Sequence, residues 1–257
     1  FYSEGDTVRA AAVMAESGVD CLITLGGDGT NRAAVAGTRN LPMVAISTGT
    51  NNVFPTMVEG TLAGLAAGLV AGGRLDLAEV SVSSKILNVY VDGELRDIAL
   101  IDVALSKERF VASKAIWDMD TLFEVFLTRA EPASIGLSSI GARLEAVSLA
   151  DEGGLRYSIA DSEEPEDGPS RAVLAPIAPG VVPPVVISSW QRMADGERYS
   201  IVKRDCTVAL DGERAFSVNR TQQLEIEVRR DGPPIIDVEL ALKVAAAQGL
   251  FDLAQGN

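Results

Sequence analysis

The chain has 257 residues, 47% hydrophobic and 23% charged, enough for one large domain or two modest ones with a sizeable core. Acidic residues outnumber basic ones 36 to 22, and a net charge of −14 argues against broad attraction to nucleic acid or an anionic membrane surface. There is no histidine, which excludes His-based triads, His metal sites and imidazole general bases.

Asp6 is placed to cap a helix from Thr7 to about Ser17, with Val8, Ala11, Ala12, Met14 and Ala15 inward and Gly18 as the stop signal. An apolar run (Val19, Cys21, Leu22, Ile23, Leu25) then ends in Gly26-Gly27-Asp28-Gly29-Thr30-Asn31 and is followed by a short helix, Asn31–Ala36, closed by Gly37. A second run, Met43–Ile46, ends in Ser47-Thr48-Gly49-Thr50-Asn51-Asn52, and Pro55 suits the first turn of a helix reaching about Ala71. Apolar runs joined by helices read as buried parallel strands. In one open sheet both polar loops would leave its carboxyl edge, where ligands of such folds bind. Three glycines around an aspartate let the backbone approach a phosphate or ribose while a carboxylate projects beside it. The competing reading is a strand-to-helix turn in which Asp28 or Thr30 only caps the helix.

From Leu75 the pattern changes to short β-like runs: Ala78–Val82, Ile86–Val91, Ile98–Leu105, Leu144–Leu149, Val173–Ile177, Val185–Ser188, Thr207–Leu210 and Leu224–Val228. Asp92-Gly93, Asp211-Gly212 and Asp231-Gly232 have the composition of hairpin turns. The spacing predicts an antiparallel sandwich or barrel, interrupted by one helix over Ala115–Thr128. Asp161–Gly168 reads as a solvated acidic loop, and Leu240–Leu253 as a terminal helix packing back on the first domain. The expected organisation is therefore α/β followed by β. Residues 1–75 form an open parallel α/β nucleotide-binding domain, residues 76–239 an antiparallel β-sandwich domain, and residues 240–257 the returning helix. Cys21 and Cys206 are expected to be buried free thiols, with no zinc spacing, and a cytoplasmic location follows. No signal-peptide pattern opens the sequence, and its longest uncharged run, Gly60–Gly73, is well short of the roughly 20 residues of a membrane span.

The glycine–aspartate motif at a strand end resembles the phosphate-donor and catalytic motif of the NAD kinase and diacylglycerol kinase superfamily, in its acetoin catabolism protein X (AcoX) branch. Ile46–Pro55 resembles the second loop of that family. Ala99–Val103 falls on its Asn-Glu strand, Gly136–Gly141 on its small-residue loop, Ala175–Gly180 on its Pro-x-x-Pro turn, and Leu210-Asp-Gly-Glu213 on a hairpin near the site. The resemblance implies an NAD kinase-like two-domain fold and transfer of a phosphoryl group from ATP to a hydroxyl, with NAD as acceptor. It implies Asp28 as the catalytic carboxylate, as base or as Mg²⁺ ligand, because in-line transfer needs neutralised phosphates and a positioned hydroxyl. The nucleotide-binding residues it implies are Gly26, Gly27, Gly29, Thr30, Asn31, Thr50, Asn51, Asn52, Asp102, Ser138, Ser139 and Glu213. Arg32 and Arg39 could neutralise phosphate but read as surface arginines. ATP, Mg²⁺ and NAD are the expected ligands, with neither nucleic acid nor membrane, and a homo-oligomer (dimer or tetramer) is expected.

Three departures are visible, one being Gly180 in place of the His that ends the family's Pro-x-x-Pro turn. Ile101 stands where the family has Asn and offers only an apolar wall to an acceptor, and Asp102 shortens the family's Glu. The family also has a strand and helix upstream of the first residue here. Other readings are a kinase for a different small alcohol or a lipid head group, with ATP or polyphosphate as donor, and a non-catalytic nucleotide-binding protein accessory to acetoin catabolism.

Overall fold

The computed structural model describes residues 3–107, 119–160, 170–212 and 214–252. The chain falls into two compact units. One comprises residues 1–48, 55–84 and 232–257, and the other residues 49–54 and 85–231.

The first unit is built on a four-stranded sheet in the order β1 (Leu22–Gly26), β2 (Met43–Ser47), β15 (Pro234–Ile236) and β3 (Ser81–Ser83). β1, β2 and β15 run parallel, and β3 is antiparallel to β15. β2 is buried throughout, as a central parallel strand should be. β1 lies at the edge, and there Leu25 is 68% exposed on the face that its neighbour buries. Helix α1 is Glu4–Glu16. It starts at Ser3, not Asp6, because Ser3 and Asp6 form a capping box in which each side chain takes the other's backbone amide. Ala11 is buried on it and Met14 is exposed, contrary to the expected inner face.

Helix α2 spans Asp28–Gly37, three residues longer at its start than expected. The segment at Pro55 is not helical. Thr56 bridges alongside Ile46, and helix α3 (Gly60–Ala71) begins only where Glu59 accepts the Thr61 and Leu62 amides. Ala63, Ala66 and Ala67 pack inward, whereas Gly64 and Gly68 face open space. A short helix α4 (Leu77–Val80) stands where a strand was expected, with Asp76 capping it. Helix α6 (Val238–Ala247) starts at Asp237, and its Ala241 and Ala245 join Val44, Ile46 and α3 in one core.

The second unit has two antiparallel sheets. One holds β11 (Arg198–Ser200), β14 (Leu224–Arg229), β4 (Ile86–Val91) and β5 (Glu94–Ala99), in that order. The other runs β13 (Arg214–Val218), β12 (Cys206–Leu210), β6 (Asp102–Ser106), β7 (Leu122–Leu127), β8 (Gly154–Ile159), β10 (Pro184–Met193), β9 (Arg171–Leu174). Leu87, Val89 and Ile226 of the smaller sheet meet Val103, Leu105, Phe126, Val208 and Leu210 of the larger. The larger sheet's opposite face (Ala104, Val125, Leu127, Ala209) is covered in turn by helix α5 (Leu137–Leu144) through Ile140.

Burial on both faces removes the alternation by which an antiparallel strand is usually recognised, so Leu122–Leu127 is a strand and not the end of a helix. The expected run Ile98–Leu105 is two strands, broken at Leu100–Ile101. Leu144–Leu149 contributes only the end of α5 and an isolated bridge at Val147. The Asp92-Gly93 and Asp211-Gly212 turns have positive φ at both residues, and the first is a two-residue hairpin loop between β4 and β5. Asp231-Gly232 is instead where the chain passes from the second unit to the first. Residues 115–118, 161–168 and 253 of the expected elements lie outside the described residues. Both cysteines are free, and among the described residues no helix is long and apolar enough to cross a membrane.

Candidate functional site

In the first unit, β1 ends at Gly26, Gly27 is extended, and Asp28 is the first residue of α2. Asp28 and Thr30 are partly exposed. Gly26 is required locally: a Cβ there would lie 2.5 Å from Thr30 Oγ1, so the glycine seats the Thr30 side chain. Asn31 is fully buried. Its Nδ2 donates to the Gly27 carbonyl (2.8 Å), and its Oδ1 accepts from Thr24 Oγ1 (2.6 Å), which braces the loop from beneath. Arg32 is buried, not superficial, and its guanidinium pairs with Glu4 at 2.9 Å.

β1 and β2 pair in parallel with Gly26 opposite Ser47, so the two loops leave the same edge of the sheet. The neck of the second loop is closed by Ser47 N–H donating to the Thr56 carbonyl and Thr56 N–H to that of Ala45. Between these, Gly49–Phe54 packs with the second unit. Thr50 and Asn51 are exposed and Asn52 partly so, with Thr50 Oγ1 donating to Asn51 Oδ1 (3.2 Å).

Within the second unit, several expected site residues share one hydrogen-bonded framework. Asp211 is buried and its carboxylate accepts the amides of Leu100 (3.0 Å), Ile101 (2.8 Å) and Asp102 (3.1 Å). Its own N–H donates to the Asp102 carbonyl. The turn that carries Asp102 is also held by Thr128, whose N–H donates to the Ile101 carbonyl and whose hydroxyl donates to that of Leu100. Asp102 is partly exposed at the start of β6. Tyr157 lies wholly buried nearby, and its burial, with the Asp102 charge, holds its phenol well above its ordinary value. Ile101 is 1% exposed, so its side chain belongs to the interior and is not the ligand-facing wall expected.

Ser138 and Ser139 are buried with their hydroxyls engaged by main chain. Ser138 donates to the Arg129 carbonyl (3.0 Å), and Ser139 to those of Gly136 (2.7 Å) and Pro176 (3.1 Å). Glu213 lies outside the described residues. Asp102, Ser138, Ser139 and the Thr50–Asn52 segment thus belong to the second unit, and Gly26–Asn31 to the first.

Comparison with known proteins fits this arrangement. Residues 2–74 match the ATP-NAD kinase N-terminal domain, and residues 85–231 match the acetoin catabolism protein X C-terminal domain. Acetoin catabolism protein X of Cupriavidus necator is 40% identical over 250 residues, which covers 96% of this chain and 68% of that protein. The chain belongs to the acetoin catabolism protein X family. Its second family match, 85–231, coincides with the continuous part of the second unit.

Among solved structures, yeast NADH kinase complexed with NADH aligns over 93% of this chain and 68% of its own, with a TM-score of 0.52 and 14% identity. An NAD kinase from Archaeoglobus fulgidus in complex with ATP aligns over 96% and 95%, with a TM-score of 0.47 and 12% identity. This acetoin catabolism protein X family member therefore has an NAD kinase-like fold.

Three residues of its framework were not foreseen as such: Asp211, Thr128 and Arg129. For Asp211 the Asp-Gly pair signalled a turn, but nothing near it in the sequence indicates that the carboxylate caps amides more than a hundred positions away. Thr128 and Arg129 carry no local signal at all.

Proposed function

We propose that the chain transfers the γ-phosphoryl group of ATP to a hydroxyl, with the adenosine ribose of NAD as acceptor. One observation carries the reading. The parallel register of Gly26 with Ser47 brings the Gly-Gly-Asp-Gly-Thr loop and the Ser47–Asn52 segment out at one carboxyl edge, with Asp28 partly open at the start of a helix. At that position the Gly27 and Gly29 amides and Thr30 are the donors for phosphate oxygens, favoured by the helix dipole. Gly26 and Asn31 keep the loop in shape, and Asn51 and Asn52 offer amide groups to a ribose.

Asp28 accepts the proton of the attacking hydroxyl as the new O–P bond forms and the bond to the ADP oxygen breaks. If Asp28 serves instead as a ligand, its carboxylate would hold Mg²⁺ together with phosphate oxygens, and the ion would neutralise their charge. Among the described residues no three His, Cys, Asp or Glu side chains cluster as a metal site, so the fit relies on the nucleotide for most of the ligands. On the acceptor side, Asp102 is the carboxylate for a nucleotide hydroxyl or amide, and Ser138 and Ser139 are struts.

A second reading, nucleotide binding without turnover in support of acetoin catabolism, is favoured by the committed hydroxyls of Ser138 and Ser139. Release of ADP from ATP and Mg²⁺, screened against NAD, NADH and small polyols, separates the two. Acceptor-dependent ADP release is expected, and nucleotide binding without it supports the second reading. Release only with an alcohol other than NAD keeps the kinase and replaces its acceptor.

A further inference from the structure

Arg129 follows β7 and is 7% exposed, an unusual place for a guanidinium. Its Nη1 donates to the Val53 carbonyl at 3.4 Å, and the guanidinium lies 5.6 Å from the centre of the buried Phe54 ring. Glu131 stands 3.8 Å away as counter-charge. The Arg129 carbonyl accepts the Ser138 hydroxyl, and its neighbour Thr128 holds the Leu100–Ile101 turn that carries Asp102. Two consecutive residues thus fasten the Asn51–Asn52 segment on one side and the Asp102 turn on the other.

A planar guanidinium suits this task because it can stack on a ring while donating in its own plane. The Gly49–Phe54 segment has exposed polar residues at Thr50 and Asn51 and no regular structure, so contacts such as those of Arg129 at Val53 and Phe54 help to set its position. We infer that Arg129 is a positioning residue: through Val53 and Phe54 it sets where Asn51 and Asn52 meet the acceptor nucleotide. The inference rests on the kinase reading above and adds the residue that fixes its acceptor loop.

Arg129→Met keeps apolar bulk and removes the donor and the charge. Arg129→Lys keeps the charge without the planar fork, and Phe54→Leu removes the ring while leaving Arg129. Hydrogen exchange at residues 50–53 reads the anchor without any catalysis, and calorimetry with NAD and with ATP reads its consequence. In Arg129→Met, exchange at 50–53 should rise at least tenfold. NAD binding, and kcat/KM for NAD, should fall roughly tenfold, within the roughly 10²-fold that a misplacement of about 1 Å costs. ATP affinity should stay within twofold.

Phe54→Leu should show the same split at smaller size, and Arg129→Lys should restore less than half of the loss. If Arg129→Met does not fold, Phe54→Leu carries the test alone. Equal NAD affinity in variant and parent, an equal loss of ATP and NAD binding, or no NAD binding by either protein overturns the inference. Faster exchange and weakened NAD binding in a protein that never phosphorylates NAD would sustain the anchor while sinking the kinase reading.

Discussion

The two units use polar residues in opposite ways. In the first, a short consecutive stretch, Gly27 to Thr30, puts Asp28 and Thr30, both partly exposed, at the start of a helix, with Asn31 bracing it from within. In the second, the polar groups are buried and tied to main chain: Asp211 to three amides, Ser138 and Ser139 to carbonyls, Thr128 to a turn. The first arrangement is chemistry on a local turn, and the second is geometry held by contacts far apart in sequence. Damage to the first should therefore appear in rate, and damage to the second in stability and in the placement of the acceptor.

The sharpest break of this contrast is Asp28→Asn. It should lower phosphoryl transfer by about 10²–10⁴-fold while the melting temperature stays within a degree or two. A variant that melts much earlier would move Asp28 to the structural side. Asp211→Ala should do the reverse. Three amides, two of them buried, lose their acceptor, at a cost of about 3 kcal/mol, or a melting temperature lower by roughly 6–12 °C. Thermal unfolding without nucleotide measures it, and an unchanged midpoint would show that water replaces the carboxylate.

Ile101→Asn tests the same unit more gently. Reading Ile101 as a wall of the acceptor pocket implies tighter NAD binding for the asparagine. Because the side chain is buried, the expected outcome is instead a loss of about 1–3 kcal/mol of stability with no gain in NAD affinity. Calorimetry on both proteins decides between them.

The smallest effect concerns Lys85, a buried ammonium in the second unit that donates to the carbonyls of Ser148, Asp151 and Gly153. Burial, reinforced by Arg230, Arg129 and Arg192, pushes it down to about 7. The three carbonyls favour the charged form and limit the effect. Between pH 7 and about 10 the unfolded chain then holds more protons than the folded one, so stability should rise with pH, by only a small fraction of the roughly 1.4 kcal/mol per pH unit that a fully neutral Lys85 would give. Urea unfolding of the parent and of Lys85→Met across that range should show the slope only in the parent. Equal slopes would mean that the carbonyl cage keeps Lys85 charged.

The contrast also explains what could be read in advance. The Asp28 loop, its two parallel strands and the Asp92-Gly93 and Asp211-Gly212 hairpins are local patterns, and the structure has them at those places. The break at Leu100–Ile101 was hidden because the apolar run continues through it and the residue that makes the break, Asp211, arrives from far along the chain. Leu122–Leu127 passed for a helix because a sheet covered on both faces loses its alternation. Exposed Leu25 was hidden for the converse reason, since an apolar run does not say which of its strands lies at the edge. Arg129 and Thr128 gave no pattern, because their meaning lies in the partners that packing brings to them.

The central claim, that this family member phosphorylates a hydroxyl using Asp28, is tested most directly by identifying the product. The purified chain is incubated with ATP, Mg²⁺ and NAD, and the nucleotides are resolved by mass spectrometry, with Asp28→Asn run in parallel. The account predicts NAD carrying one added phosphate, formed in step with ADP, and none above background in the variant. ATP and NAD recovered unchanged from the parent, or equal product from both proteins, would contradict it.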